Sequence, residues 1–468
     1  MLRLAQITGP QESGRTWTLI AVGLLLGLAS AFFISSPLIG SMLVATIVGV
    51  AVGVKRPQWT LFLFAATLML GEMSIGPATS VSSATALLFL VVTAIYVFLA
   101  NPPLHTRSAI PVLLAGWAIC LVMNAAMKPE WTLEHPRGVI TFWLLALTAM
   151  AVILILRNGE WIWQLATVFS LSSAFVSLVT IYEAVTGQFN QLAVFEGASD
   201  DRAYGLSDPN YTSALLVTFM PFVLIHVLAG RSKTWRIVAM GVIGMNLAAI
   251  ASTASRGGVV GVLVLGVSMS IWANAPNWDK SRENTALRRR AAIIVLLLLC
   301  GIIAVATAPQ VFRDRMSTLE DWSDPAGMKD SRVGLWSDYI EVWLKSPVWG
   351  HGPGWLDPVL IGNSTQFPHN TILQLAIEVG LVGLIPYFVL SGWAFWGALR
   401  ARRLFAQQGN ERFSVLSGGV ALSLIGFHTT AFFLSSAGHK ELWVLIGMAA
   451  ALHHIATSPE HSLSTAWR

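Results

Sequence analysis

Long apolar runs separated by short polar connections recur along almost the whole chain. A helix needs about 20 mostly apolar residues to cross the hydrocarbon core of a bilayer. Reading for such runs gives spans at 17–35, 38–54, 58–72, 82–100, 109–127, 138–156, 161–185, 211–229, 236–254, 257–274, 291–308, 370–399, 413–434 and 441–456. The runs at 58–72 and 441–456 are short, and 370–399 is long enough to tilt or kink near Pro386. The pattern predicts an all-α fold, a polytopic transmembrane helix bundle of 12–14 spans. Short alternating segments of the β-barrel kind are not seen, and neither is a solenoid repeat or an inverted pair of broken helices.

Two connections stand out by length, 186–210 and 309–369. The second is rich in Trp, Asp, Gly and Pro. Its Trp322, Trp336, Trp343, Trp349 and Trp355 predict an amphipathic cap at the membrane interface, where Trp is favoured. Three regions follow: an N-terminal transmembrane bundle at 1–185, a middle region at 186–400 that includes the loop 309–369, and C-terminal helices with a tail at 401–468.

Composition sharpens the class. Apolar residues make up 55% of the 468 and charged residues only 11%, against roughly 25% charged in an average soluble domain. So few charges cannot cover a water-soluble surface, and so many apolar residues exclude a disordered chain. The net charge of +5 does not point to nucleic acid, because the basic residues sit in short loops between the spans. With a cytoplasmic N-terminus, 19 of the 29 Lys and Arg and only 6 of the 24 acidic residues fall inside. The opposite orientation would invert the Lys and Arg bias that sets topology. Both termini are therefore expected in the cytoplasm. The stretch Leu28-Ala29-Ser30-Ala31 resembles a signal-peptidase site, but the run before it is long for a signal peptide. Cys120 and Cys300 lie inside apolar runs, so neither a disulfide nor a thiolate metal site is expected.

Four clusters at the predicted outer face carry possible chemistry. The first is Arg202-Ala203-Tyr204-Gly205-Leu206-Ser207-Asp208-Pro209-Asn210. Asp208 and Pro209 read as an N-cap and first helical residue, which leaves Arg202 unexplained. The second is Ser252-Thr253-Ala254-Ser255-Arg256-Gly257-Gly258, between two spans with almost no loop. An arginine there faces a cavity or an anion, or snorkels to the interface. The glycines permit close backbone approach, and N–H groups at a helix start favour phosphate. The third is Ser331-Arg332-Val333-Gly334-Leu335-Trp336, followed by Ser346-Pro347 and Gly350-His351-Gly352-Pro353-Gly354, whose glycines read as tight turns. Arg332 has several acidic residues nearby. The fourth is Pro368-His369-Asn370-Thr371, followed by Glu378, Gly380 and Gly383. His369 stands at the mouth of a span, where a neutral imidazole can accept a proton from a substrate hydroxyl. Asn370 or Thr371 caps the helix, and Glu378 is a carboxylate within the span, a functional hypothesis by default.

In that order, these motifs resemble the O-antigen ligase and O-antigen polymerase superfamily over about residues 190–400. The resemblance implies a bacterial inner-membrane glycosyltransferase of the metal-independent, lipid-linked type. Its donor would be an undecaprenyl-pyrophosphate-linked glycan, and its acceptor lipid A–core in a ligase or another lipid-linked repeat in a polymerase. Carried over by position, Arg202 and Arg256 become pyrophosphate contacts, His369 the base, and Arg332 a further site residue. Asp208, Asn210, Ser255, Asn370 and Glu378 are expected to line the substrate site. No cofactor is expected, and no metal-ligand spacing such as His-Glu-x-x-His appears. A base opposite the leaving group implies in-line displacement and inversion at the anomeric carbon. A repeat-unit polymerase is the nearest alternative, a lipid-linked-sugar flippase or transporter a more distant one, and a non-catalytic scaffold a further one.

Overall fold

The computed structural model describes residues 49–70, 74–76, 79–100, 107–187, 203–230, 232–274, 332–356 and 367–458. The expected spans at 17–35 and 291–308, most of 38–54, the candidate cleavage site, Cys300, Trp322 and Arg202 lie outside these residues. Proline at the first or second helical position starts α1 (Pro57–Leu68), α3 (Ile110–Met127, Pro at its second residue), α4 (Pro129–Glu134) and α5 (Pro136–Ile155). There the missing N–H has no intrahelical partner to lose. Between α1 and α2 (Val81–Ala100) lies a small antiparallel pair, β1 (Ser74–Gly76) and β2 (Thr79–Ser80). Side-chain caps start α6 (Gly159–Thr186, Asn158), α7 (Pro209–Ala229, Asp208) and α8 (Lys233–Ser252, Ser232). They also start α11 (Thr371–Gln407, Asn370) and α12 (Glu411–Ala431, Asn410). The remaining helices are α9 (Arg256–Asn274), α10 (Arg332–Leu344) and α13 (Lys440–Thr457).

The described residues are all-helical apart from the β1–β2 pair, and eight of their helices are long and apolar enough to cross a membrane. That bears out the polytopic helical bundle. α7 lies at its centre, packed on α6, α8, α9 and α12, while α11 packs on α3, α12 and α13. α7 is buried round most of its circumference, with Phe219 and Phe222 fully enclosed. α2, at the margin, leaves Leu87 and Phe98 exposed. A helix apolar all round is stable only in such a bundle or against lipid.

Long-range contacts sort the helix ends into two sets. At one end meet the end of α8 and the segment before α7, through Ala203 N–H to the Ser252 carbonyl. The start of α11 joins the turn after α12 at the same end, through Thr371 Oγ1 to the Leu434 carbonyl at 2.6 Å. At the other end Arg412 of α12 pairs with Glu160 of α6. The candidate-bearing ends of α7, α9 and α11 thus share one end of the bundle.

The expected bend near Pro386 is displaced. Pro386 sits inside a continuous stretch of α11, and the helix breaks at Gly380, where φ is 59° and ψ is −168°. The cause is the segment 347–352, which enters the break. In an unbroken helix Leu381 and Val382 would donate to the carbonyls of Ile377 and Glu378. Instead Leu381 N–H donates to Pro347 and Val382 N–H to Val348, while Ile377 and Glu378 accept from His351 and Gly352 N–H at 2.7 and 2.9 Å. Both of these helical bonds are thus replaced by bonds to the loop, so these four backbone groups keep their partners.

Candidate active site

The first cluster folds as a capped helix start with an anchored approach. Asp208 Oδ1 accepts from the N–H groups of Asn210 and Tyr211 at 2.9 and 3.2 Å. The Asn210 carbonyl accepts from Ser213 Oγ. Upstream, Glu183 of α6 is 3% exposed, and its Oε2 accepts from the N–H groups of Tyr204 and Gly205 at 2.9 and 2.6 Å. Thr212 Oγ1 donates to the Tyr204 carbonyl. Arg202 directly precedes this clamped segment in the chain and lies outside the described residues.

At the second cluster Ala254 adopts a left-handed backbone with φ 48°, immediately before Ser255 and Arg256. Ser255 Oγ accepts from Gly258 N–H and caps α9. Arg256, half-buried, is the first residue of that helix. A Cβ at Gly258 would lie 2.8 Å from Ser213 of α7, so only glycine permits α9 this approach.

His369 shows the same strain. Its φ is 47°, and with Ala254 it makes up the positive-φ non-glycine residues among those described. A left-handed residue with a Cβ costs roughly 1–2 kcal/mol, and such strain clusters at functional sites. His369 is half-buried. Next to it Asn370 Oδ1 caps α11 by accepting from Leu373 N–H, which identifies Asn370 rather than Thr371 as the cap. Glu378, 2% exposed, lies at the Gly380 break, and its Oε1 accepts from Gln374.

A short chain of contacts connects these pieces. Gly257 beside Arg256 lies against Phe433, to which a Cβ would come within 3.0 Å. Phe432 meets the Trp336 ring edge-on at 5.5 Å. Trp336 Nε1 donates to the Pro368 carbonyl at 2.7 Å, beside His369. Arg332 opens α10 one turn before Trp336, and its side chain is not described. The backbones at Arg256, Arg332 and His369 therefore border one aromatic corner. The glycine-rich segment after α10 is a run of tight turns as expected, with φ of 67°, 121° and 75° at Gly350, Gly352 and Gly354. Trp336 and Trp343 both turn ring nitrogens to backbone carbonyls, as docked anchors do. Burial of Tyr339, on the packed side of α10, raises its phenol above the ordinary range.

From the corner a groove of about 590 Å³ runs between α11 and α12. Thr371, Phe432 and Phe433 stand at its mouth, and Phe388, Gly392, Phe395 and Leu424 line its length. Sequence reasoning missed this groove, and it missed Glu183, Tyr211, His439 and Glu441 at the same end. Glu183 and Glu441 were open to discovery, since an ionisable residue within a span is a functional hypothesis by default.

Fold and site together define a multi-pass helical membrane protein with strained, polar helix ends gathered beside an apolar groove. Residues 241–388 match the family model described as O-Antigen ligase, so over this stretch the chain is similar to the O-antigen ligase superfamily, and the resemblance read from the motifs is borne out. The matched stretch holds Ser255, Arg256, Arg332, His369, Asn370 and Glu378, and stops short of Arg202, Asp208 and Asn210. The comparison with curated proteins gives no match.

Proposed function

We propose that this chain is an inner-membrane glycosyltransferase that moves a glycan from undecaprenyl pyrophosphate to a sugar hydroxyl of lipid A–core, at the periplasmic face. The observation that carries the reading is the pair of strained residues, Ala254 before Ser255-Arg256 and His369 before the α11 cap, at one end of the bundle beside the groove. The family match over residues 241–388 supports a ligase-like or polymerase-like membrane enzyme. The periplasmic assignment rests on the Lys and Arg bias of the loops.

In this reading the groove takes the polyprenyl chain, and Arg202 and Arg256 take the diphosphate. Guanidinium groups bind phosphate oxygens in a fork and keep their charge. They stabilise the negative charge that grows on the departing pyrophosphate, without a metal. His369 accepts the proton of the acceptor hydroxyl, whose oxygen attacks the anomeric carbon from the side opposite the diphosphate. The bond to the diphosphate breaks as the glycosidic bond forms, and the configuration inverts. Arg332 adds a further positive group at the corner, and Asp208, Asn210, Ser255, Asn370 and Glu378 shape the surrounding polar wall.

The test is transfer by the purified protein in proteoliposomes, with undecaprenyl-pyrophosphate glycan plus either lipid A–core or a second donor molecule. Glycan joined to lipid A–core is the expected product. Donor joined only to donor makes the protein a repeat-unit polymerase, and lipid movement without a new glycosidic bond makes it a flippase.

A further inference from the structure

We propose that His439 is a second imidazole of this site, that it holds a hydroxyl of the sugar acceptor, and that Glu441 is the positioning residue which orients it. The inference rests on the glycosyl-transfer reading and names an acceptor subsite within it. Glu441, the second residue of α13, is 2% exposed. Its Oε1 accepts from the Tyr211 hydroxyl at 2.5 Å. Its Oε2 is buried without a hydrogen-bond partner. His439 Nδ1 lies 3.9 Å from this oxygen, too far for a hydrogen bond. The Tyr211 ring meets the imidazole edge-on at 4.3 Å.

A buried carboxylate oxygen without a partner is costly, and each such atom in a folded protein calls for a reason. The arrangement is that of a base with an orienting acid behind it, in which apo distances are long and tighten when substrate binds. The void between the three side chains measures about 10 Å³ and is lined also by Thr218, Thr430 and Ser436. That is room for one water and no sugar. Glu441 therefore acts through His439, whose side chain is 19% exposed.

The unit lies between two site elements. Tyr211 N–H is held by Asp208 at the start of α7. His439 N–H donates to the Ser436 carbonyl, and Ser436 Oγ lies 2.7 Å from Thr371 Oγ1, next to the α11 cap. The chemistry of this wall selects its ligand. The carboxylates of Asp208 and Glu441 disfavour a diphosphate, while a hydroxyl can donate to or accept from an imidazole.

The experiment is steady-state transfer in proteoliposomes, varying lipid A–core at saturating undecaprenyl-pyrophosphate glycan and then the reverse. Glu441→Gln should raise the acceptor KM about tenfold, with donor KM unchanged and kcat within about threefold. His439→Ala alters a more exposed side chain and should give the same split even if Glu441→Gln misfolds. The double variant should be no worse than His439→Ala alone, because Glu441 acts through the imidazole. An unchanged acceptor KM, a change confined to kcat or donor KM, or additive effects would overturn the subsite and leave glycosyl transfer standing. Absence of any glycosidic product from the unmodified protein would overturn both.

Discussion

Gly350 and Gly380 face each other so closely that neither has room for a side chain. A Cβ on Gly350 would lie 2.6 Å from the Gly380 nitrogen, and one on Gly380 would lie 2.5 Å from the Gly350 nitrogen. Both have positive φ, 67° and 59°. The obstructing atoms are backbone, so nothing flexible can yield. Gly350→Ala and Gly380→Ala should each cost at least about 1–3 kcal/mol through strain alone, and more through the clash. Thermal unfolding of the detergent-solubilised protein measures this. A drop of less than about 1 °C for either variant would show that the loop and the broken helix do not depend on this contact.

The two strained residues that carry a Cβ should separate stability from activity. His369→Gly removes both the imidazole and the left-handed penalty of roughly 1–2 kcal/mol. It should unfold at equal or higher temperature than the unmodified protein and transfer no glycan. Ala254→Gly relieves the same strain without touching a functional group, and should raise the unfolding temperature too. If His369→Gly retained full transfer at normal expression, the base would lie elsewhere.

Glu183 clamps the segment that follows Arg202 in the chain. Its Oε2 serves two backbone N–H groups, and hydrogen bonds to a charged group contribute about 1.5–3 kcal/mol each. Glu183→Gln keeps the shape but loses the charge and turns one acceptor oxygen into a donor. We expect a loss of about 2 kcal/mol or more in stability and a rise in donor KM, read from unfolding curves and from donor titrations. A variant with unchanged donor KM would show that Arg202 does not need the clamp.

The helical bundle was legible because span length and apolarity are properties of single segments. The Asp208-Pro209 helix start, a cap at Asn370 or Thr371 (resolved to Asn370 by the structure) and the turns at Gly350, Gly352 and Gly354 were legible for the same reason, since each motif acts within its own few residues. The Gly380 break was not. Pro386 is the stronger local signal, but α11 keeps the proline inside a continuous stretch and yields where residues 347–352 supply replacement hydrogen bonds. The groove and the Tyr211–Glu441 contact were hidden likewise. The contact joins residues 230 positions apart, and nothing in either segment announces the other.

The groove gives the sharpest test of donor binding. Gly392 lines it, and a Cβ there meets nothing within 4 Å. A large side chain at this position therefore projects into the groove without a clash at its root, and replacing a helical glycine raises helix propensity by up to about 1 kcal/mol. Gly392→Trp should fold normally and fill part of the 590 Å³. The polyprenyl chain enters from lipid rather than from water, so its seat in the groove depends on packing, and a plug that blocks that seat should raise donor KM. A donor with a chain of only two or three isoprene units should be affected much less, because it does not reach the plug. Equal losses for long and short donors would point to a disturbed site, and no loss for either would remove the lipid chain from the groove.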